Sequence, residues 1–282
     1  MKTIKILGSF SLAFALFLGS CTRKDITTTD DTLSATDTQN QAKMDQASND
    51  VQDVVEAALA AQFPSITGRD NFTILPACAM MTTVATNTSW TRTIDFGTTG
   101  CIMPSGNALK GKLIATGAIP YSPTNYTVTY SFDNFYHNEI KVGGTRTVTR
   151  TFAASTLSST PHPIYNIDLN NMTLTFPNLG TYTRAGNRIR EFVSGFGSPT
   201  PLDNIYLITG QWETTRPNGT SHSTTVSTPI KIDMSCQYKL TAGVLRLTKN
   251  AHYADINYGT GDCDNIYTVS IDGSAPVTRY FN

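Results

Sequence analysis

The spacing of apolar residues along the chain changes at Pro64. Before it, apolar residues recur at helical spacing, at Val51, Val54, Val55, Ala58, Leu59 and Phe63. This stripe predicts one α-helix over about 45–63, ending where Pro64 cannot continue it. The stripe is narrow and rich in alanine, so we expect the helix to pack on a sheet rather than bind a partner.

After Pro64 the apolar period becomes two, as in a β-strand with one buried face. The clearest case places large residues at every second position, at Tyr126, Val128, Tyr130 and Phe132. Similar runs continue near 145–150, 164–169, 172–176, 204–216, 224–234, 238–248, 252–258, 265–272 and 276–281. Hairpin-turn signals lie at Gly143-Gly144, Asn218-Gly219 and Asp272-Gly273.

These runs predict roughly 14 strands joined by local hairpins. Helical stretches do not separate them, which excludes βαβ units and a parallel sheet. The sequence therefore predicts an all-β fold, a large antiparallel meander with one N-terminal α-helix. A curved sheet, a sandwich and an incomplete barrel are all compatible with this pattern.

Residues 1–20 have the pattern of a bacterial export signal. Lys2 and Lys5 precede an apolar run of about 13 residues, too short to span a bilayer. The run ends in Leu18-Gly19-Ser20-Cys21, which resembles the bacterial lipobox. The resemblance implies cleavage before Cys21 and lipidation of that cysteine, whose acyl chains would hold the protein on a membrane. An ordinary secretory peptide is the alternative.

Residues 21–43 predict the lipidated cysteine followed by a flexible tether rich in Thr and Asp. This segment has so little apolar surface that burying it cannot offset the entropy lost on ordering the chain. Lys24-Asp25 and Asp30-Asp31 resemble the acidic export signal of Bacteroidota surface lipoproteins, with an ordinary linker as the alternative. Asp31-Thr32-Leu33 resembles the short O-glycosylation motif of that phylum, with Thr32 as acceptor. A single β-rich domain would then occupy 44–282.

The charge balance bears on possible partners. Lys and Arg number 21, and so do Asp and Glu, whereas nucleic-acid binders usually carry a basic excess. Residues 1–20 contain two lysines and no acid, so their removal leaves 19 basic and 21 acidic groups, a net charge of −2. We expect no nucleic-acid partner.

Four cysteines remain besides Cys21, an even number that suggests two disulfides in an exported protein. Three connectivities are possible. The segment 94–101 aligns without a gap on 256–263, and each segment ends on a cysteine about 25 residues after another one. If each pair flanks a hairpin, the turns fall at Ser89/Trp90 and Lys249/Asn250. We predict the pairs Cys78–Cys101 and Cys236–Cys263.

The same paired segments carry a family resemblance. Ile94-Asp95-Phe96-Gly97 before Cys101, and Tyr258-Gly259 through Cys263-Asp264-Asn265, resemble motifs of uncharacterised Bacteroidota-type outer-membrane lipoproteins. Arg188-Ile189-Arg190-Glu191-Phe192 matches as well. The resemblance implies lipid anchoring in the outer membrane, at the cell surface. It implies no activity.

Catalytic chemistry has little support in the sequence. The four histidines are scattered, with no acid or nucleophile at a known motif spacing: His137, His162, His222 and His252. We therefore expect no enzymatic activity and no cofactor.

Weak oxygen-ligand candidates for Ca²⁺ surround one glycine turn, at Asp255, Asn257, Asp262 and Asp264. They lack the spacing of a known calcium loop, so we expect no metal. Capping of turns by these side chains is the favoured interpretation.

Two clusters in the central strands have alternative interpretations. Five arginines are expected on a solvated sheet face, with an anionic-ligand site as the alternative: Arg146, Arg150, Arg184, Arg188 and Arg190. Four aromatic residues are expected in the core, with a sugar-stacking platform as the alternative: Tyr126, Tyr130, Phe135 and Tyr136.

The sequence therefore favours a surface or envelope lipoprotein with a non-enzymatic binding or structural role, toward a glycan or a protein. One alternative is a periplasm-facing carrier of lipid or another hydrophobic ligand in an open barrel, with the helix as its lid. Another is a fimbria-like adhesin subunit with an edge that accepts a donated strand.

Overall fold

The computed structural model describes residues 32–62, 74–122, 124–169 and 171–281, and a compact unit extends over Asp31–Asn282. The predicted signal peptide, Cys21 and the first part of the tether lie outside the described residues. The helix in the described part is α1 (Ala35–Gln62). The strands are β1 (Met80–Ala85), β2 (Ser89–Asp95), β3 (Cys101–Ile102), β4 (Ala108–Ala118), β5 (Tyr126–His137), β6 (Ile140–Gly143), β7 (Thr145–Ala153), β8 (His162–Asp168), β9 (Met172–Phe176), β10 (Gly180–Ser194), β11 (Ile205–Thr215), β12 (Ser221–Asp233), β13 (Leu240–Lys249), β14 (His252–Thr260), β15 (Ile266–Ile271) and β16 (Val277–Tyr280).

All these strands belong to one antiparallel sheet and cross it in chain order, with β1 and β16 at its edges. Three sheet positions hold two strands each: β2 with β3, β6 with β7, and β8 with β9. The predicted antiparallel meander with an N-terminal helix is confirmed. The strands form a single sheet rather than the two sheets of a sandwich.

The contacts of Asp50 show that the sheet curls around α1. Its carboxylate lies 2.8 Å from His137 Nε2 at the end of β5 and 2.8 Å from Lys239 Nζ just before β13. β5 and β13 are six positions apart, roughly 29 Å in a flat sheet. Both can reach one helix carboxylate because the sheet wraps around the helix.

Backbone kinks recur across the sheet and account for this curl. Residues with left-handed backbone interrupt one sheet position after another, at Gly97, Gly111, Asn134, Gly144, Asn171, Gly186, Gly210, Gly243 and Gly259. Kinks and bulges bend strands and increase their twist. Neighbouring kinks also touch: a Cβ atom on Gly144 would overlap the carbonyl oxygen of Asn171.

The predicted turn signals have two outcomes. Turns close the β11–β12 hairpin at Asn218-Gly219 and the β15–β16 hairpin at Asp272-Gly273, as predicted. The turn predicted at Gly143-Gly144 is wrong. β6 and β7 both pair with β5, so Gly144 kinks a continuing strand instead of reversing the chain.

Helix α1 begins earlier than its apolar stripe predicts. Ser34 and Asp37 form a capping box, in which each backbone N–H donates to the other side chain, at 2.8 and 3.2 Å. The predicted tether boundary at residue 43 is therefore wrong, because 35–43 are helical. These residues lack an apolar stripe because polar groups of the sheet pack against them.

The apolar stripe itself is confirmed as packing. Val51, Val54, Val55, Ala58 and Leu59 are at most 4% exposed and belong to one core with the inner face of the sheet. The sheet therefore covers the apolar surface of the helix and much of its polar surface.

Both predicted disulfides are confirmed. Cys78 bonds to Cys101 with 6.0 Å between the Cα atoms, and Cys236 bonds to Cys263 with 5.1 Å. The bonds flank the β1–β2 and β13–β14 hairpins. The second hairpin turns between Lys249 and His252, at the predicted midpoint. The first turns over 86–89, at the N-terminal side of its predicted midpoint.

Candidate functional site

The interior between α1 and the sheet is charged. Ten polar residues of the helix are buried there: Asp37, Thr38, Asn40, Gln41, Asp45, Ser48, Asn49, Asp50, Gln52 and Asp53. Buried polar groups are stable only when they are hydrogen-bonded, and buried charges only when they are compensated. The inner face of the sheet supplies most of the partners.

Strand β10 runs alongside the helix and provides three of them. A strand presents every second residue to one face, and helix residues four apart share a face. The two sets meet in register: Arg184 with Asp45 at 2.8 Å, Arg188 with Asn49 at 3.1 Å, and Arg190 with Asp53 at 2.6 Å.

The expectation of a solvated arginine face is therefore wrong. All five arginines are at most 8% exposed: Arg146, Arg150, Arg184, Arg188 and Arg190. Alternation along a strand identifies two faces but not which one is inside. The acidic helix reverses the usual assignment, because it makes the inner face the favourable one for a cation.

Two of the arginines have other partners. Arg146 donates to the backbone carbonyl of Ser48 at 2.8 Å, and burial with nearby Arg188 lowers its pKa to about 9. Arg150 lies 5.7–5.8 Å from the ring centres of Tyr126 and Tyr165. Cation–π contacts therefore compensate the charge of Arg150 in part.

Asp50 is the best-compensated buried acid. Burial alone would raise its pKa, but the Lys239 ammonium and the His137 hydrogen bond outweigh burial and hold the pKa well below its usual range. Lys239 also bonds to Asp53 at 2.6 Å. These contacts join the helix to the β12–β13 connection and to β5.

A half-buried serine also meets a buried histidine and a buried glutamate in space. The carboxylate of Glu191 lies 2.8 Å from His162 Nε2 and accepts a hydrogen bond from Ser155. A serine nucleophile would need to donate to the histidine, with the acid behind it. Here the acid lies between the other two, which favours a structural role over nucleophilic catalysis.

An open groove of about 700 Å³ lies beside the N-terminal half of α1. The helix contributes Asn40, Lys43 and Gln46. The connections β3–β4, β5–β6, β9–β10 and β12–β13 line the groove too, as do β15, β16 and the residue after it. This volume is within the usual range for small-ligand sites.

One wall of the groove is aromatic. Tyr238 stacks on Phe281 with ring centres 6.2 Å apart and planes inclined by 15°. Phe281 is also 4.9 Å from Tyr267, so these rings support one another. Tyr280 is 58% exposed and Tyr238 is half-buried. Aromatic surface is therefore available to a ligand.

The remaining lining is mostly polar. Amide side chains predominate: Asn40, Gln46, Asn107, Asn138, Asn178 and Gln237. Lys43 and Glu139 are exposed charges of opposite sign. Rings that offer a flat face, next to amides that both donate and accept hydrogen bonds, are suited to a polyhydroxylated ligand.

The oxygen-ligand candidates serve other purposes in the structure. Asp255 forms a two-pronged pair with Arg246, at 2.7 Å for each bond. Asn257 and Asp264 cap turns by accepting backbone N–H bonds at 2.9 and 3.0 Å, as the favoured interpretation predicted. Asp262 is exposed. No cluster of three His, Cys, Asp or Glu suited to a metal occurs among the described residues.

The other predicted sites are dispersed. Tyr130 and Phe135 are fully buried, as the core interpretation predicts, while Tyr126 and Tyr136 are half-buried. Thr32, the candidate glycosylation acceptor, is exposed. Cys21 lies outside the described residues.

Comparison with known proteins gives no match to any protein-family model, curated protein or solved structure. In the described part of the chain, no helix has the length and apolarity needed to cross a membrane.

Sequence reasoning missed both the charged interior and the groove. The interior had a usable signal, since Asp45, Asn49 and Asp53 repeat at intervals of four. The groove had none, because its aromatic wall combines residues 238, 267 and 280–281 with the helix only after the sheet has curled.

Proposed function

We propose that this protein is a lipid-anchored outer-membrane lipoprotein whose domain binds an oligosaccharide at the cell surface without acting as an enzyme. The groove with the wall of Tyr238 and Tyr280 carries the ligand part of the proposal. The lipobox-like segment ending at Cys21 supports the anchor, and the acidic segments after it support surface exposure.

The groove favours a neutral or weakly charged sugar polymer. Its aromatic rings can stack on the apolar face of a pyranose, while its amides can bond to the ring hydroxyls. Lys43 and Glu139 offset each other, so the lining has little net charge to select a strongly charged ligand. The groove is also open, as binding to the middle of a chain requires.

Binding can be tested on the purified domain by isothermal titration calorimetry. Cellohexaose, maltohexaose, mannohexaose and chitohexaose would serve as probes. We expect at least one to bind, and we expect Tyr238→Ala and Tyr280→Ala to weaken that binding about tenfold or more, the loss of one stacking contact.

Tyr136→Ala is the matched control, because Tyr136 lies outside the groove lining, under Lys110 at 4.2 Å. It should bind as the wild type does. A failure of all four sugars at millimolar concentration would argue against this ligand class. Equal binding by all three tyrosine variants would place any binding elsewhere.

The lipid-carrier alternative fits the interior less well. A carrier needs an apolar cavity, whereas α1 occupies this interior and presents Asp45, Asp50 and Asp53 to cations of the sheet. Release of the helix would expose several buried charges to an apolar ligand.

The fimbria-like alternative has one supporting observation. Strand β1 is an edge, and all six of its residues are exposed, including Met80 at 68% and Val84 at 69%. An exposed apolar edge can accept a strand from another chain. SDS-resistant ladders of the unheated protein would favour this function over a monomeric binder.

A further inference from the structure

The interior holds more positive than negative charge. Among the described residues, eight Lys and Arg are buried against five Asp and Glu, a surplus of three. Two partly exposed residues, Lys239 and Glu56, add one charge of each sign and leave the surplus at three. Since a buried charge is costly unless it is compensated, the location of the surplus matters.

Part of the surplus lies on one row of the inner face, across β10–β13. Arg184 is opposite Thr214, and Thr214 is opposite His222. Ser223 pairs with Thr248, so the preceding residue, His222, lies opposite Lys249. Directly opposed residues have Cβ atoms about 5 Å apart, which makes each side chain in this row the immediate neighbour of the next.

The cations near this row differ in their compensation. Arg184 bonds to Asp45 at 2.8 Å, and the nearby Arg216 pairs with Asp37 at 2.9 Å. Lys249 is 6% exposed, and its ammonium has no hydrogen-bond partner in the described part of the chain.

The neighbours of Lys249 are unpaired as well. His222 is 3% exposed with neither ring nitrogen bonded, and Thr214 is fully buried with its hydroxyl unbonded, as far as the described residues extend. Burial and the Arg216 charge lower the pKa of His222 to about 4. At neutral pH its ring is therefore uncharged and keeps one N–H donor.

We propose that Lys249, His222 and Thr214 bind a small monovalent anion of the halide class, chloride in the cell envelope. The three groups offer an ammonium, an imidazole N–H and a hydroxyl, all of which can donate to an anion. The site contains one uncompensated positive charge, so a single negative charge completes it. This inference is independent of the oligosaccharide groove, which lies at other residues.

Crystals of the domain soaked in sodium bromide test the site directly. We expect an anomalous bromine peak within hydrogen-bonding distance of Lys249 Nζ and the His222 ring. Water density at that position without an anomalous signal would overturn the proposal.

A solution experiment tests the same site without crystals. The melting temperature of the domain is measured in sodium chloride and in sodium gluconate at constant ionic strength. A ligand that binds only the folded state raises the melting temperature, so wild type should melt several degrees higher in chloride. Lys249→Met should lose this difference, whereas Lys112→Met, at an exposed lysine, should keep it.

Thr214→Val covers the case in which Lys249→Met does not fold. It removes one donor and leaves the charge in place, so the chloride concentration needed for half of the stabilisation should rise about tenfold. No chloride effect in wild type, or an unchanged effect in both Lys249→Met and Thr214→Val, would refute the site.

Discussion

At the scale of single residues, Asp50 joins three separate parts of the sheet to the helix. Asn107 and His137 donate to its Oδ2 at 2.7 and 2.8 Å, and Lys239 donates to its Oδ1 at 2.8 Å. Each partner comes from a different connection or strand end. The loss of this carboxylate would therefore weaken the fold at several points simultaneously.

We expect Asp50→Asn to lower the free energy of unfolding by about 3 kcal/mol, because it leaves half-buried Lys239 and buried His137 without their shared carboxylate. Urea unfolding followed by circular dichroism measures the change. Asp255→Asn is the control, since its pair with Arg246 is largely exposed and should contribute less than about 1 kcal/mol. Similar losses in both variants would contradict this prediction.

The lowered pKa of Asp50 also predicts a dependence on pH. A carboxyl whose folded-state pKa is depressed contributes its full stability above the unfolded pKa, about 3.9, and loses that contribution as pH falls toward the folded value. Below about pH 4, wild type should lose stability more steeply than Asp50→Asn. Unfolding free energies measured from pH 5 down to pH 2.5 would show it, and parallel curves would count against it.

At the scale of elements, the kinks determine how the strands bend. Gly144 has φ +83°, and a side chain there would overlap the backbone of Asn171 between β8 and β9. We expect Gly144→Ala to destabilise the domain by about 3 kcal/mol or more, through backbone strain and this overlap together.

Gly219→Ala separates the two causes. Gly219 has the same φ of +83° but open space around it, so the substitution should cost only about 1 kcal/mol, from strain alone. Thermal unfolding of both variants gives the comparison. Equal costs would mean that the contact between neighbouring kinks contributes nothing.

The elements were predictable where one face is apolar and the other polar. β11, β13 and β14 lie close to their predicted bounds, because large apolar residues alternate along them. The first ten residues of α1 were missed because burial against polar groups such as Arg216 and the Tyr182 hydroxyl requires polar residues on the buried face. The Ser34–Asp37 capping box was the available local signal.

The candidate sites follow the same physical distinction. The disulfides could be predicted because each joins the two ends of a local hairpin. The charged interior and the groove depend on the curl of the sheet, which brings residues such as Asp50 and Lys239 together across most of the chain. No short-range pattern encodes such a contact, although the glycines that permit the curl are visible in the sequence.

At the scale of the whole molecule, the proposed anchor can be separated from the fold. Cys21→Ala should abolish incorporation of an alkyne fatty acid and release the protein from the membrane fraction, because acyl chains supply the binding energy. The melting temperature of the purified domain should not change. Retention of the label would contradict the proposed lipidation site.

Surface exposure needs its own measurement. Intact cells expressing the wild-type protein are treated with protease and then probed with an antibody to the domain. We expect the domain to be degraded while a periplasmic control protein survives. Survival of the domain would favour the periplasmic face.

The placement of α1 has a consequence for the order of events during synthesis. The helix precedes all the described strands in the chain, so it leaves the ribosome before any of them, and in the proposed exported protein it leaves the export channel first as well. Asp45, Asp50 and Asp53 can bond to their Arg and Lys partners only after the chain 137–189 residues further along has been made. Contacts of such long range make folding slow. A chain halted before Lys239 would therefore present to proteases an incomplete sheet and a helix whose Asp50 still lacks its lysine partner, and synthesis of almost the entire protein must precede its protection.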